Sequence, residues 1–301
     1  MNATIAVLAG IAGIVVCVVA LHLTRNLHNS FVTRLISGIL LVLAALLTII
    51  PGGLPLLAIS VFLSLTAMRE LLLATGVHTE GKGFIPSEII GYAGIILYYG
   101  SLLTGIRALE AAVPVLLFLC LLFIYVFCWP RYSVQVMMAV FFCVVYAGLL
   151  FSCVYRTRML PQGKYLVWLI FLSSWGSDTC AYCAGMLIGR HKMTPKLSPK
   201  KTIEGGIGGV AGAMLLGALY AFCVTRMTPE EMVIPAGFCA LICGAGALLS
   251  MVGDLAASAI KRDAGIKDYG KLIPGHGGVM DRFDSVIVTA PVIFYLAWLL
   301  L

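Results

Sequence analysis

The stretch AAVPVLLFLCLLFIYVFC, residues 111–128, decides the fold class of this chain. It contains no charged side chain, and it lies between Glu110 on one side and the turn Trp129-Pro130 on the other. An apolar run of this length crosses a bilayer core of roughly 30 Å when it folds as an α-helix. These residues therefore predict a transmembrane helix.

Apolar runs of similar length recur along the whole chain. Of its 301 residues, 61% are hydrophobic and 11% are charged, whereas a soluble domain has about 25% charged residues. The sequence predicts an all-α, polytopic integral membrane protein with about 9–10 transmembrane helices. The approximate spans are 4–23, 32–50, 54–74, 88–106, 110–129, 134–155, 165–188, 205–225, 234–256 and 285–301.

Two features of these runs argue against a cleaved signal peptide and against a zinc site built from cysteines. The run at 4–23 lacks a basic leader and a small-residue cleavage site, so we interpret it as a retained span rather than a signal peptide. Most of the ten cysteines lie inside apolar runs, where a thiol packs as a small hydrophobic group. Cys180 and Cys183 form a lone C-x-x-C pair without the second ligand pair of a zinc site, so packing is also expected for them.

Lysine and arginine are distributed unevenly between the two sides of the predicted bundle. With alternating crossings, fifteen fall on one side and five on the other. The positive-inside rule assigns the richer side to the cytosol and the N-terminus to the outside. The basic segments 189–204 and 258–284 then become cytosolic loops. Such loops can also serve only to fix the topology and to contact anionic lipid.

Several of the 13 acidic residues lie in apolar segments, where an ionised side chain costs at least a few kcal/mol. Asp178 and Asp254 are the main examples. We expect such a residue to face a cavity or a charged partner, or to form a structural hydrogen bond to a neighbouring helix. On a helix, Asp254, Ser258 and Lys261 are spaced i, i+4 and i+7 and share one face. That face carries a carboxylate, a hydroxyl and an ammonium group towards the predicted cytosolic side.

The segment KRDAGIKDYGKLIPGHGGVMDRFDS, residues 261–285, follows that face. Its glycines permit backbone conformations in which N–H groups turn towards an anion. Asp281 and Asp284 then come directly before the last span. Carboxylates with several lysine and arginine side chains between them predict a site for a divalent metal and phosphate groups. Mg²⁺ prefers one or two carboxylates together with substrate phosphates. His276 either donates to a phosphate or holds the turn.

The other basic segment, GRHKMTPKLSPKKTIEGGIGG at 189–209, supports the same interpretation. Ser198-Pro199 is typical of a helix N-cap followed by proline, and the following helix would direct its N-terminus at bound anions. Gly205 and Gly209 form a G-x-x-x-G pattern, which indicates close helix packing more often than ligand binding. His78 has no convincing partner in the sequence.

Motifs of soluble nucleotide enzymes are absent from the sequence, including the P-loop and the dinucleotide-binding glycine motif. Nucleic-acid binding is also not expected, because the basic segments are short and are not interleaved with aromatic residues.

From Ser258 to Asp284 the chain resembles the signature of phosphatidate cytidylyltransferases, also called CDP-diacylglycerol synthases. The pattern is Ser-x-apolar-Lys-Arg, four residues, Lys-Asp, a short spacer, and then Pro-x-His-Gly-Gly-apolar-x-Asp-Arg-apolar-Asp. The matching residues are Ser258, Lys261, Arg262, Lys267, Asp268, Pro274, His276, Gly277, Gly278, Asp281, Arg282 and Asp284. SDTCAYCAGMLIGRHK with LSPKKTIEG is similar to a second family block, and Arg34 and Glu70 match more weakly.

The resemblance implies a Mg²⁺-dependent reaction of CTP with phosphatidate that gives CDP-diacylglycerol and pyrophosphate. We expect Asp254 and Asp281 to be metal ligands, with Asp178 or Asp284 as an additional one. The predicted catalytic residues are Asp254, Asp281, Lys261 and Ser258. The predicted phosphate-binding residues are Lys200, Lys201, Arg262, Lys267, His276 and Arg282.

The resemblance also suggests how the chain is organised. Residues 1–160 are expected to form N-terminal transmembrane helices that face lipid and act as a scaffold, and 161–301 a C-terminal transmembrane catalytic region. We expect a multi-pass protein of the cell membrane, with the active site facing the cytosol and no nucleic-acid partner. The sequence is compatible with a homodimer.

Two alternatives to this function remain open. One is a sister cytidylyltransferase that acts on an ether or isoprenoid lipid phosphate, because an acyl groove is lined by interchangeable apolar residues. The other is a transporter, which would need polar residues at matching depth across several spans, whereas here they cluster near one face.

Overall fold

The computed structural model describes residues 30–228, 235–273 and 277–300, with side chains from Ser37 onward. The predicted span 4–23 and the residue His276 lie outside the described residues. Almost all regular structure in the described part is helical, and the exception is one short antiparallel hairpin. The predicted all-α class is confirmed.

The helices in the first half of the chain follow the predicted spans closely. They are α1 (Ser30–Ile49), α2 (Gly53–Ala74), α3 (Pro86–Thr104), α4 (Arg107–Phe127) and α5 (Val134–Cys143), and α5 continues through a π-helical segment, Val144–Leu150, into α6 (Phe151–Met159). Gly52 and Gly53 adopt positive φ at the turn between α1 and α2, a conformation that glycine adopts without steric cost.

The second half contains longer helices and the hairpin. Its elements are α7 (Gly163–Phe171), a π-helical segment (Leu172–Gly176), α8 (Ser177–Ile188), β1 (Lys192–Thr194), β2 (Ser198–Thr202), α9 (Ile203–Met227), α10 (Ala236–Asp263) and α11 (Met280–Leu300). The predicted loop 258–284 is therefore shorter than expected, because α10 continues to Asp263 and α11 begins at Met280.

Six helical stretches among the described residues are long and apolar enough to cross a membrane. They are Gly53–Ala74, Arg107–Phe127, Val134–Met159, Ile203–Met227, Ala236–Asp263 and Met280–Leu300. The protein is thus a multi-pass membrane protein. The total of about 9–10 spans stays a prediction.

The chain divides into two compact units. The first contains the described residues up to Ser152 together with Asp263–Arg282, and the second contains Cys153–Arg262 and Phe283–Leu301. The predicted functional boundary near residue 160 stays a prediction, because packing does not show which part is catalytic.

Buried polar pairs occur within the helical core of the first unit. The Ser64 hydroxyl lies 2.9 Å from the Tyr99 hydroxyl. His78 was expected to lack a partner, and this prediction was wrong. Its Nδ1 lies 2.8 Å from Oε2 of Glu88, and the two side chains are 8% and 1% exposed. The pair lies across the loop between α2 and α3, a closure that sequence spacing alone does not reveal.

In the second unit, α8 and α9 pack closely along a face of small residues. A Cβ at Gly209 would lie 2.9 Å from the Cβ of Ala181, and one at Gly205 would lie 2.8 Å from the Ala181 carbonyl oxygen. The predicted packing role of this glycine pair is confirmed. Cys180 belongs to the same interface, since a Cβ at Gly212 would lie 2.5 Å from its Sγ.

The start of α9 differs from the prediction. Ser198 and Pro199 lie in β2, which pairs with β1 in the register Lys192↔Thr202 and Thr194↔Ser198. The N-cap is Thr202, whose hydroxyl accepts a hydrogen bond from the Gly205 N–H at 3.1 Å. The proline signal was misleading because the basic segment folds back on itself before the helix begins.

We predict that Gly212→Val weakens the α8–α9 interface. Added side-chain volume in a tightly packed contact typically costs about 1–3 kcal/mol. The apparent Tm of the purified protein should fall by roughly 5 °C. Gly100→Val in α3 is the matched control, because a Cβ there would meet nothing within 4 Å. Equal Tm values for the two variants would contradict the packing assigned to Gly212.

Candidate active site

A cavity of about 580 Å³ lies within the second unit. Such a volume suits a small-molecule ligand. The cavity is formed by α8, the hairpin, α9 and α10. Its lining residues are Ser177, Asp178, Ala181, Tyr182, Gly185, Met186, Lys192, Met193, Lys200, Lys201, Thr202, Gly205, Gly206, Gly209, Val210, Ala247, Met251 and Asp254.

Four of the predicted site residues meet at this cavity: Asp178, Asp254, Lys200 and Lys201. They come from three separate elements, α8, α10 and β2. Lys201 Nζ forms an ion pair with Oδ2 of Asp254, and the two side chains are 25% and 30% exposed. Asp178 is close enough to interact electrostatically with both members of that pair. The cavity thus combines carboxylates with ammonium groups, as a site for metal and phosphate requires.

Local structure explains why these side chains converge. Asp178 lies in the first turn of α8, directly after the π-helical segment Leu172–Gly176. Such segments change the angular position of the residues that follow and are frequent at functional sites. Gly205, Gly206 and Gly209 line the cavity on α9 without contributing side chains to it.

The face predicted on α10 is present. Ser258 lies one turn beyond Asp254, and its hydroxyl is 3.5 Å from Asp254 Oδ1, a long contact. Lys261 lies nearly another turn further on the same helix. Arg262, in the last turn, is exposed. The sequence spacing correctly predicted the helical arrangement of Asp254, Ser258 and Lys261.

Asp284 on α11 joins the carboxylates of the second unit. It is buried, its Oδ1 accepts a hydrogen bond from the Ser285 N–H at 2.7 Å, and it interacts electrostatically with Asp254, Lys261 and Asp178. Gly253 permits this approach of α10 to α11, because a Cβ there would lie 2.9 Å from the Asp284 carbonyl oxygen. Asp178, Asp254 and Asp284 therefore form a cluster of negative charge.

Asp281 belongs to the first unit and has a different environment. Its Oδ2 accepts hydrogen bonds from the N–H groups of Tyr269 at 2.8 Å and Gly278 at 2.9 Å. Ile273 and Gly277 pair with each other through reciprocal backbone hydrogen bonds of 2.8 and 3.0 Å. The carboxylate of Asp281 thus organises the described residues 269–273 and 277–279 before α11, called the glycine loop below. Its predicted role as a metal ligand stays a prediction.

Glu70 supports the same loop, although the sequence suggested only a weak family match for it. Its two carboxylate oxygens accept hydrogen bonds from the N–H groups of Val279 at 2.9 Å and Met280 at 2.8 Å. A Cβ at Gly270 would lie 2.5 Å from Glu70 Oε1, so this position requires glycine. A glutamate inside an apolar span was the available signal for a functional partner.

Lys267 and Arg282 are exposed residues of the first unit. Their predicted phosphate contacts, like that of Arg262 in the second unit, stay predictions. His276 lies outside the described residues.

The carboxylate cluster fits a Mg²⁺ ion that is shared with a phosphate-bearing substrate. Within residues 30–228, 235–273 and 277–300, no group of three or more His, Cys, Asp or Glu side chains could hold a metal alone. Mg²⁺ commonly takes only one or two carboxylates and completes its shell with water and substrate phosphates. Asp254, with Asp178 or Asp284 nearby, provides such an incomplete set.

Fold and site together define a polytopic membrane protein with a cavity suited to a nucleotide or another phosphate ester. A family model described as "Cytidylyltransferase family" matches residues 32–300. The chain belongs to this family.

Individual relatives agree with this assignment. A phosphatidate cytidylyltransferase of Staphylococcus saprophyticus is 30% identical over 262 residues, which cover 86% of this chain and 96% of the relative. A protein of the same name from Staphylococcus aureus strain COL is similar at the same identity and coverage. Another, from Synechocystis, is 43% identical over 141 residues, covering 47% of this chain and 46% of the relative.

Proposed function

We propose that this protein transfers the cytidylyl group of CTP to phosphatidate, giving CDP-diacylglycerol and pyrophosphate. The main observation in support of this proposal is the cavity in which Lys200 and Lys201 lie beside Asp178 and Asp254. Membership of the cytidylyltransferase family supports the nucleotide, and relatives named phosphatidate cytidylyltransferase support the lipid. A multi-pass membrane protein is suited to a substrate whose acyl chains stay in the bilayer.

The reaction is a displacement at the α-phosphorus of CTP. An oxygen of the lipid phosphate forms the new P–O bond, the bond from the α-phosphorus to the bridging oxygen breaks, and pyrophosphate carries the electron pair away. A phosphomonoester has a second pKa of about 6, so the nucleophile is already ionised at neutral pH. The reaction therefore needs charge compensation and alignment more than a strong general base.

The described lysines can provide that compensation. Lys200 and Lys201 line the cavity, so their ammonium groups can bind phosphate oxygens of either substrate. When a phosphate binds the ammonium group of Lys201 in place of Asp254, the carboxylate of Asp254 loses its ion-pair partner and becomes available to a cation. Substrate and metal binding are then coupled through one ion pair. Ser258 and Lys261, further along α10, are positioned to extend the same polar face.

We propose Mg²⁺ as the cofactor, held by Asp254 with Asp178 or Asp284. When bound, the ion neutralises phosphate charge and aligns the reacting groups. The distribution of basic residues supports a site that faces the cytosol of the cell membrane. A homodimer stays a prediction from the sequence.

We predict that the purified protein in detergent, supplied with labelled CTP, Mg²⁺ and phosphatidate, forms a chloroform-soluble labelled product and an equimolar amount of pyrophosphate. A parallel reaction with an isoprenoid-ether phosphate tests the sister activity. Preference for that lipid would overturn the assignment of phosphatidate. Absence of CTP turnover with both lipids would overturn the cytidylyltransferase assignment.

We also predict that chelation by EDTA abolishes turnover and that added Mg²⁺ restores it. Asp254→Asn should lower kcat/KM by roughly 100-fold or more, because it removes a charge-stabilising group from the site. It should also raise the Mg²⁺ concentration needed for half-maximal rate. Asp263→Asn, at the exposed end of α10, is the matched control and should stay within about 2-fold of wild type. Near-normal activity of folded Asp254→Asn would refute the metal assignment.

A further inference from the structure

The hairpin β1–β2 carries three lysines that line the cavity: Lys192 on β1, and Lys200 and Lys201 on β2. Its strands contain only three and five residues. An isolated two-stranded hairpin is marginally stable in water. The positions of these lysines therefore depend on contacts that hold the hairpin to the rest of the second unit.

Glu204, in the first turn of α9, makes the densest set of contacts at the base of this hairpin. Its Oε2 accepts hydrogen bonds from the N–H groups of Arg190 at 3.0 Å and His191 at 3.1 Å. Its Oε1 lies 2.6 Å from Nδ1 of His191, which donates to the carboxylate. One side chain of α9 thus binds the backbone that leads into β1.

Two neighbouring contacts close the same base. The Ile203 N–H donates to the His191 carbonyl oxygen at 2.9 Å, and the Thr202 hydroxyl caps α9. Neither of these involves an ionised group, whereas hydrogen bonds to a charged carboxylate are shorter and stronger. Glu204 itself is not among the described residues that line the cavity. An acid at this position would also repel phosphate if it faced the substrate.

We propose that Glu204 is a positioning residue that holds the β1–β2 hairpin so that its lysines reach the substrate phosphates. Glu204 acts through Lys200 and Lys201 and does not touch the reacting atoms. The alternative is a purely local role, in which the acid only stabilises the N-terminal turn of α9. This inference rests on the proposed function for its kinetic test, but not for its structural test.

The kinetic test is a double-mutant cycle on kcat/KM for CTP and for phosphatidate. Glu204→Gln retains the shape of the side chain but loses the charge, and it places an NH₂ group against N–H donors. The expected loss is roughly 10-fold in kcat/KM for the substrate that the hairpin lysines bind. In a Lys200→Met/Lys201→Met background, Glu204→Gln should lower kcat/KM by less than about 2-fold, because the ammonium groups that Glu204 positions are already absent.

Lys82→Met is the matched background, because Lys82 is an exposed residue of the first unit and is not one of the predicted phosphate-binding residues. There Glu204→Gln should retain its full loss of about 10-fold. Equal losses in wild-type, Lys82→Met and double-lysine backgrounds would overturn the positioning role and favour the local one.

The structural test is hydrogen–deuterium exchange, which needs no turnover. Glu204→Gln should accelerate exchange in peptides from residues 190–202 while peptides from the middle of α9 keep the wild-type rate. Faster exchange confined to α9 would overturn the proposal. Wild-type protein without CTP turnover would refute the proposed function, and the exchange experiment would still decide whether Glu204 holds the hairpin. If Glu204→Gln is not recovered folded, His191→Ala removes one of the same contacts and the cycle is repeated with it.

Discussion

An ionised side chain among apolar helices must have a partner, and much of this structure follows from that constraint. Leaving a charge unpaired in such surroundings costs at least several kcal/mol, so the buried acids in the described part of the chain are matched with donors. Glu88 is matched with His78, and Glu70 with two backbone N–H groups at the start of α11. Asp254 is matched with Lys201 from the hairpin. The pairings of Glu70 and Asp254 join segments that are distant in the sequence.

The pairings differ in what they can do chemically. The Glu70 carboxylate is buried and accepts N–H groups of the glycine loop, so it serves as a fixed support for that loop. The ion pair of Lys201 and Asp254 is partly exposed and lies at a cavity. A phosphate and a cation can replace its two members without leaving either charge unpaired. The same electrostatic requirement therefore stabilises the ion pair and suits the cavity to a charged ligand.

Much of the architecture was predictable because transmembrane helices have a strong local signal. Length and apolarity identified the long helices, and the spacing of Asp254, Ser258 and Lys261 correctly placed them on one helix. Family resemblance and charge clustering selected four residues that meet at the cavity. The hairpin was missed because its strands are short and polar, and Ser198-Pro199 imitated a helix start. The partner of His78 was missed because Glu88 lies ten positions further along the chain, beyond a loop.

The supporting roles of Glu70 and Glu204 were harder to predict than the presence of lysines at the cavity. Glu70 contacts residues more than 200 positions away, and no local pattern encodes that contact. Glu204 is close in sequence to the hairpin, but its role depends on the antiparallel pairing that brings Arg190 and His191 back to α9. Residues that position others become visible only when the tertiary contacts are known.

The central claim is that the cavity lined by α8, the β1–β2 hairpin, α9 and α10 holds the triphosphate of CTP. Photolabelling with a CTP analogue that carries an aryl azide on its γ-phosphate, followed by peptide mapping, tests this claim most directly. We predict label on peptides from residues 177–206, suppressed by excess CTP and reduced in Lys200→Met/Lys201→Met. CTP-protected label found only on peptides from α3 or α4 would contradict it.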